Sequence, residues 1–107
     1  MLAYTATELR EKLERGDDLL LLDVRTEEEL AVARLDGAMH VPLHELERGL
    51  EDIASWRDRE VVTVCHHGVR SAMAQAFLRA HGFTDVKNLI GGIDAYARQA
   101  DTALARY

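Results

Sequence analysis

The sequence predicts an α/β fold in one domain over residues 1–107: a mostly parallel central sheet of about five strands with helices on both faces. Two observations carry that prediction. Helix and strand signals alternate from one end of the chain to the other, the pattern of parallel strands joined by crossover helices. Two short runs, Leu19-Leu20-Leu21-Leu22-Asp23-Val24 and Val61-Val62-Thr63-Val64, are apolar at consecutive positions, as strands covered on both faces must be. A third observation bounds the answer: 107 residues suffice for an independent core without a linker.

The elements follow in order. Thr5-Ala6-Thr7-Glu8 is a capping box that opens a helix with Leu9 and Leu13 on one face, and Gly16 stops it. Leu19–Val24 is the first predicted strand; its short length and the flanking Gly16-Asp17-Asp18 favour strand over helix. Thr26-Glu27-Glu28-Glu29 is a second capping box, and its acidic first turn suits the helix dipole. That helix ends before Gly37. Ala38-Met39-His40-Val41 reads as a short strand closed by Pro42, the only proline, which marks a sheet edge or a strand end. Leu43 to Ile53 is weakly helical, with Leu43, Leu46 and Leu50 on one stripe and Gly49 interrupting it.

Val61–Val64 is the most strand-like run and is placed at the sheet centre. The helix after it repeats Ala72, Met73, Ala76, Phe77 and Ala80 at helical spacing, so Met73 and Phe77 are assigned to the core, and Gly82 ends the helix. Phe83–Leu89 supplies a last strand, and Gly91-Gly92 turns the chain into a final helix over Ile93 to Ala100.

Composition excludes several classes. A formal charge of −6 leaves no basic stripe to hold nucleic acid or an anionic membrane. No apolar stretch approaches the length of a membrane span. One cysteine cannot form an internal disulfide, and no signal-like segment precedes Ala3-Tyr4-Thr5, so a cytoplasmic setting with a reduced thiol is expected.

That cysteine, Cys65, stands where the central strand gives way to Cys65-His66-His67-Gly68-Val69-Arg70-Ser71 and then to a helix. Such a loop lies at the carboxyl edge of a parallel sheet, where α/β proteins build ligand sites. Three sources of positive potential converge on a thiolate there: loop N–H groups, the first turn of the helix and Arg70. Gly68 permits the positive φ that turns N–H groups inward, and Ser71 is assigned as the helix cap. The catalytic candidate is Cys65, and His66, His67, Gly68, Val69, Arg70 and Ser71 are the substrate-binding candidates. Cysteine phosphatases carry Cys-x5-Arg, whereas Cys65 to Arg70 is Cys-x4-Arg. The smaller ring suits a sulfur atom held on Cys65 better than a phosphate.

The whole arrangement resembles the rhodanese-like sulfurtransferase family in its single-domain form. Leu22-Asp23-Val24-Arg25 with Glu28 and Glu29, then Gly37-Ala38 and Val41-Pro42, is similar to the family's N-terminal signature. Cys65 to Ser71 resembles its active-site loop, and Asn88-Leu89-Ile90-Gly91-Gly92-Ile93-Asp94-Ala95-Tyr96 its C-terminal signature. Ala33-Arg34 stands where the family usually has Gly-His, and Tyr96 where Trp is common; the first change is expected to leave catalysis intact. The resemblance implies a rhodanese-like fold and a sulfurtransferase that carries sulfane sulfur from thiosulfate or a similar donor as a Cys65 persulfide.

The implied partners are a small sulfur donor and an acceptor such as cyanide, glutathione or another thiol, thioredoxin or a sulfur-carrier protein; no cofactor is implied. The tail from Gly91 to Tyr107 also resembles rhodanese domains fused to enzymes that activate sulfur carriers. A non-catalytic interaction or sulfur-relay module and a phosphatase or arsenate reductase are the alternatives. Adjacent residues on a tight loop point in different directions, so Cys65-His66-His67 is a poor metal chelate and no metal is assigned. Partial protonation of either histidine would instead favour the thiolate and attract an anionic donor. Asp23 and Arg25 are read as architectural, the Asp satisfying loop N–H groups and the Arg pairing with Glu28 or Glu29. His40, His44 and His81 are assigned to surface or packing.

Overall fold

A computed structural model describes residues 2–107. Strand β1 (Ala3–Tyr4) leads into α1 (Ala6–Glu14), β2 (Leu20–Asp23), α2 (Glu27–Val32) and β3 (Met39–His40). A 3-10 turn over Leu43–Glu45, helix α3 (Leu46–Gly49) and a 3-10 stretch over Leu50–Trp56 lead to β4 (Val61–Val64). Then follow α4 (Val69–Ala80), β5 (Val86–Leu89) and α5 (Gly92–Gln99). The five strands form one parallel sheet in the order β1-β5-β4-β2-β3, with β4 central and β3 at an edge beside Pro42. No helix among the described residues is long and apolar enough to cross a membrane.

Strand alternation divides the apolar side chains between two cores, one on each face. Leu20, Leu22, Val24 and Val61 point to one face, where they meet Leu46, Ile53, Ala74 and Leu78; Cys65 lies in the same cluster. Leu21, Val62 and Val64 point to the other and meet Ala6, Leu9, Ile93 and Tyr96. Pairing of Leu20 with Val61 and of Leu22 with Thr63 keeps the two strands in step. The consecutive apolar runs are therefore split one residue up and one down, as a doubly covered sheet requires.

Both capping boxes form. Thr5 accepts from the Glu8 N–H and Thr26 from the Glu29 N–H, and each Glu side chain returns the bond to the cap backbone. β2, β3 and β5 are shorter than the runs that announce them, whereas β4 spans the whole Val61–Val64 run. β1 has two residues and no periodicity to reveal it; it exists because Ala3 and Tyr4 pair with Asn88 and Leu89 on the open edge of β5.

The face of α4 differs from the expected one. Ser71, Ala74 and Leu78 point inward, Phe77 is half-buried, and Met73 is 58% exposed. Alanines and one methionine at helical spacing do not fix which side turns inward. The inward register is set at the start of the helix, which begins at Val69 with Gly68 as its cap. Ser71 is therefore not the cap: it lies inside the first turn and is completely buried.

Candidate active site

Cys65, a buried residue only 1% exposed, follows directly on β4 at the carboxyl edge of the sheet. Gly68 adopts φ +104, and its N–H donates to Cys65 Sγ at 3.0 Å. Any side chain at Gly68 would be strained there, so the glycine is what lets the N–H face the sulfur. Ser71 Oγ lies 3.2 Å from the same sulfur. Its hydroxyl donates to Asn88 Oδ1 on β5 at 2.5 Å, and Asn88 Nδ2 donates to the Gly68 carbonyl at 3.2 Å. Thr63 Oγ1 donates to the Ser71 carbonyl at 2.9 Å and ties the start of α4 to β4.

The loop is also held from α5. The N–H of Ile93 donates to the Cys65 carbonyl at 2.8 Å and that of Asp94 to the His66 carbonyl at 3.1 Å. These are first-turn N–H groups of α5 that no helical carbonyl could satisfy. Gly92, at φ +62, makes the approach possible: a Cβ there would lie 2.4 Å from both the Cys65 and His66 carbonyl oxygens. The Gly91-Gly92 pair thus does more than turn the chain.

Arg70 is bound to Glu29 of α2, Nη1 to Oε1 at 2.5 Å and Nη2 to Oε2 at 2.8 Å. Glu29 also accepts from the Tyr107 hydroxyl at 2.7 Å while keeping its place in the capping box. The Arg70 hydrogen bonds hold the Glu29 carboxyl far below the usual carboxylate range against the opposing effect of burial. Burial pushes the Tyr107 hydroxyl up to about 12.

A pH dependence follows from Glu29. Its ordinary value is 4.5, and the folded chain releases the proton well below that. Between the two values the unfolded state binds more protons, so stability falls as the medium is acidified below about pH 5 and is full above it. Glu29→Gln is expected to flatten this acid limb in denaturant midpoints measured across about pH 2 to 6. An acid limb as steep as that of the wild type would count against the pair.

The two histidines lie together, contrary to the expected divergence. Their ring centroids are 3.8 Å apart at an interplanar angle of 32°, and His66 stacks on Tyr107 at 3.8 Å and 7°. The C-terminal segment folds back over the loop and aligns them. His66 Nε2 is buried without a hydrogen-bond partner among the described residues. The His67 side chain is 62% exposed, with Nε2 4.0 Å from Asp94 Oδ2. His66, His67 and Asp94 could approach one ion, but the Asp94 carboxylate already receives Arg98 and Arg106, and two guanidinium groups there work against a cation. Val69 turns its side chain to solvent at the rim.

Asp23 and Arg25 are structural, with a different partner from the one expected. Both are fully buried, and Arg25 forks onto Asp23 itself: Nε to Oδ1 at 3.0 Å and Nη2 to Oδ2 at 2.7 Å. Asp23 also accepts from the Arg25 N–H, the local role read from sequence. Arg25 donates further to the Ala33 carbonyl at 2.8 Å and the Tyr107 hydroxyl at 2.9 Å. Burial opposes the Arg25 charge, and the bonds to Asp23 and Tyr107 outweigh it, holding the guanidinium above its ordinary value. Ala33 serves through its backbone carbonyl, which any residue supplies. The carboxylate of Glu29 is left for Arg70.

Sequence spacing gathered the loop but missed three contributors. Asn88, Glu29 and Tyr107 lie 17, 41 and 78 residues from their partners Ser71, Arg70 and Glu29. Asn88 and Glu29 stand inside the quoted signatures, which was the one available signal.

Comparison with known proteins agrees with the fold. The Rhodanese-like domain model matches residues 5–99. A sulfurtransferase of Allochromatium vinosum is 39% identical over 90 residues, 84% of this chain and 82% of the relative. The probable adenylyltransferase/sulfurtransferase MoeZ of Mycobacterium tuberculosis is 39% identical over 104 residues, 96% of this chain and 26% of that longer protein. Among solved structures, the human single-domain sulfurtransferase TSTD1 superposes with a TM-score of 0.82 at 28% identity, covering 92% of this chain and 97% of its own. The family model and the single-domain relatives match this chain over most of its length. The chain belongs to the rhodanese-like domain family, and its activity is sulfur transfer.

Proposed function

We propose that the chain takes sulfur from thiosulfate by a two-step exchange on Cys65. The Cys65 thiolate attacks the outer sulfur of thiosulfate; the donor's S–S bond breaks, and its electron pair leaves on sulfite. The outer sulfur remains on Cys65 as a persulfide. A nucleophilic acceptor then attacks that sulfur, and the Cys65 thiolate departs. The observation that carries this reading is the Gly68 N–H aimed at Sγ at 3.0 Å from the start of α4. A donor fixed before the reaction begins stabilises the anionic sulfur without reorganisation.

The rest of the loop has supporting roles in this reading. Arg70, oriented by its two bonds to Glu29, is assigned to the sulfonate end of the donor. His66 and His67 line the entrance, with Val69 at the rim and Ser71 beneath the sulfur. The acceptor is a sulfur-carrier protein, in keeping with the tail's resemblance to rhodanese domains fused to enzymes that activate sulfur carriers, and cyanide, glutathione and thioredoxin are the other acceptors to screen. Such a thiol works in a reducing compartment, the cytoplasm.

Intact-mass measurement after exposure to thiosulfate tests the proposal. The chain is expected to gain one sulfur atom, located on Cys65, and Cys65→Ser is expected to gain none. An unchanged mass, or a gain that survives Cys65→Ser, overturns it. Loss of the increment on adding one candidate acceptor at a time identifies the second substrate.

A further inference from the structure

Ser71 Oγ has two polar neighbours and one proton. Asn88 Oδ1, at 2.5 Å, is an acceptor only, so it takes that proton. The amide orientation is fixed on its other side, because Nδ2 faces the Gly68 carbonyl at 3.2 Å and the reversed amide would set two oxygens against each other. Ser71 therefore presents lone pairs, not a donor, to Cys65 Sγ at 3.2 Å. That arrangement suits a thiol, whose S–H donates to Ser71. It does not suit a thiolate, which needs donors.

We infer that Asn88 is a positioning residue that parks the Ser71 proton, and that the Ser71 hydroxyl rotates from Asn88 to Sγ whenever Cys65 is a thiolate. When Cys65 gives up its proton to solvent, the Ser71 O–H swings onto Sγ and joins the Gly68 N–H. Once the outer sulfur has transferred, the negative charge lies on that sulfur, Sγ is neutral, and the hydroxyl returns to Asn88. When the acceptor removes the sulfur, the hydroxyl swings back to the departing thiolate. No proton is gained or lost in this rotation, so the hydroxyl follows the charge on Sγ through both half-reactions. The cost of thiolate formation includes leaving Asn88 Oδ1 without its partner, and Asn88 thereby sets how readily Cys65 ionises.

The inference rests on Cys65 as the sulfur carrier. Its test uses no sulfur donor, so the two stand or fall separately. Thiolate ultraviolet absorbance, followed against pH with Cys65→Ser as the blank, reports this one thiol. Asn88→Leu removes the competing acceptor and is expected to move the midpoint to acid by about one pH unit, the equivalent of one modest hydrogen bond. Ser71→Ala is expected to move it to alkaline, and adding Asn88→Leu to Ser71→Ala is expected to move it no further.

An unmoved or alkaline midpoint in Asn88→Leu overturns the inference, and so does an acid shift that persists without the Ser71 hydroxyl. Should Asn88→Leu fail to fold by circular dichroism, the smaller Asn88→Ala decides. It also removes the competing acceptor and is expected to move the midpoint to acid by about one unit only while the Ser71 hydroxyl is present; no movement overturns the inference. A wild type that never gains sulfur from thiosulfate would remove the persulfide reading and leave these shifts in place.

Discussion

Gly92→Ala is expected to lower sulfur transfer by about a hundredfold or more, since displacing reacting groups by about 1 Å costs that much. The added methyl would stand 2.4 Å from the carbonyl oxygens of Cys65 and His66, and neither is the flexible end of a side chain. The loop must shift, and the bonds from the Ile93 and Asp94 N–H groups shift with it. Overpacking together with a positive φ at a residue bearing Cβ is expected to cost about 2–5 kcal/mol. In a domain of this size that lowers Tm by at least about 10 °C. Gly82→Ala is the control: Gly82 also has a positive φ, +90, but nothing lies within 4 Å of its Cβ position. Thermal unfolding and steady-state turnover of the two variants separate the clash from the strain. Equal effects would show that the close approach of α5 to the loop has no special weight.

Asp23→Ala is expected to be the most destabilising substitution away from the loop. It leaves the Arg25 guanidinium in a completely buried site without its carboxylate. Breaking a buried pair on one side costs about 3–5 kcal/mol, because an uncompensated charge remains. The carbonyl of Ala33 and the hydroxyl of Tyr107 offer partial compensation only. The double variant Asp23→Leu with Arg25→Met removes both charges and is expected to regain much of the loss. Denaturant unfolding of the single and double variants gives the answer; a single variant within about 1 kcal/mol of wild type would deny the pair its structural role.

Capping boxes at Thr5 and Thr26 and the apolar runs around Leu20 and Val61 depend on neighbours one to four residues away. Local patterning therefore located them. The two-residue β1 carries no pattern of its own, and α4 turned a different face inward because its start is set by Gly68 and by the attachment of Ser71 to Asn88. Met73 consequently stands in solvent where Ala74 and Leu78 were needed inside.

The sequence by itself determined the fold class and located Cys65 with the loop around it, because each is written in contiguous residues: the Val61–Val64 strand, Cys65, the glycine at 68 and the spacing to Arg70. Only the tertiary structure decided the partners. Glu29 receives both terminal nitrogens of Arg70, Asp23 rather than a helix carboxylate holds Arg25, and Asn88 reaches Ser71 from β5. Charge and hydrogen-bonding capacity are properties of a residue type, whereas the partner that satisfies them is chosen by proximity, and proximity across a sheet is set by strand order and register.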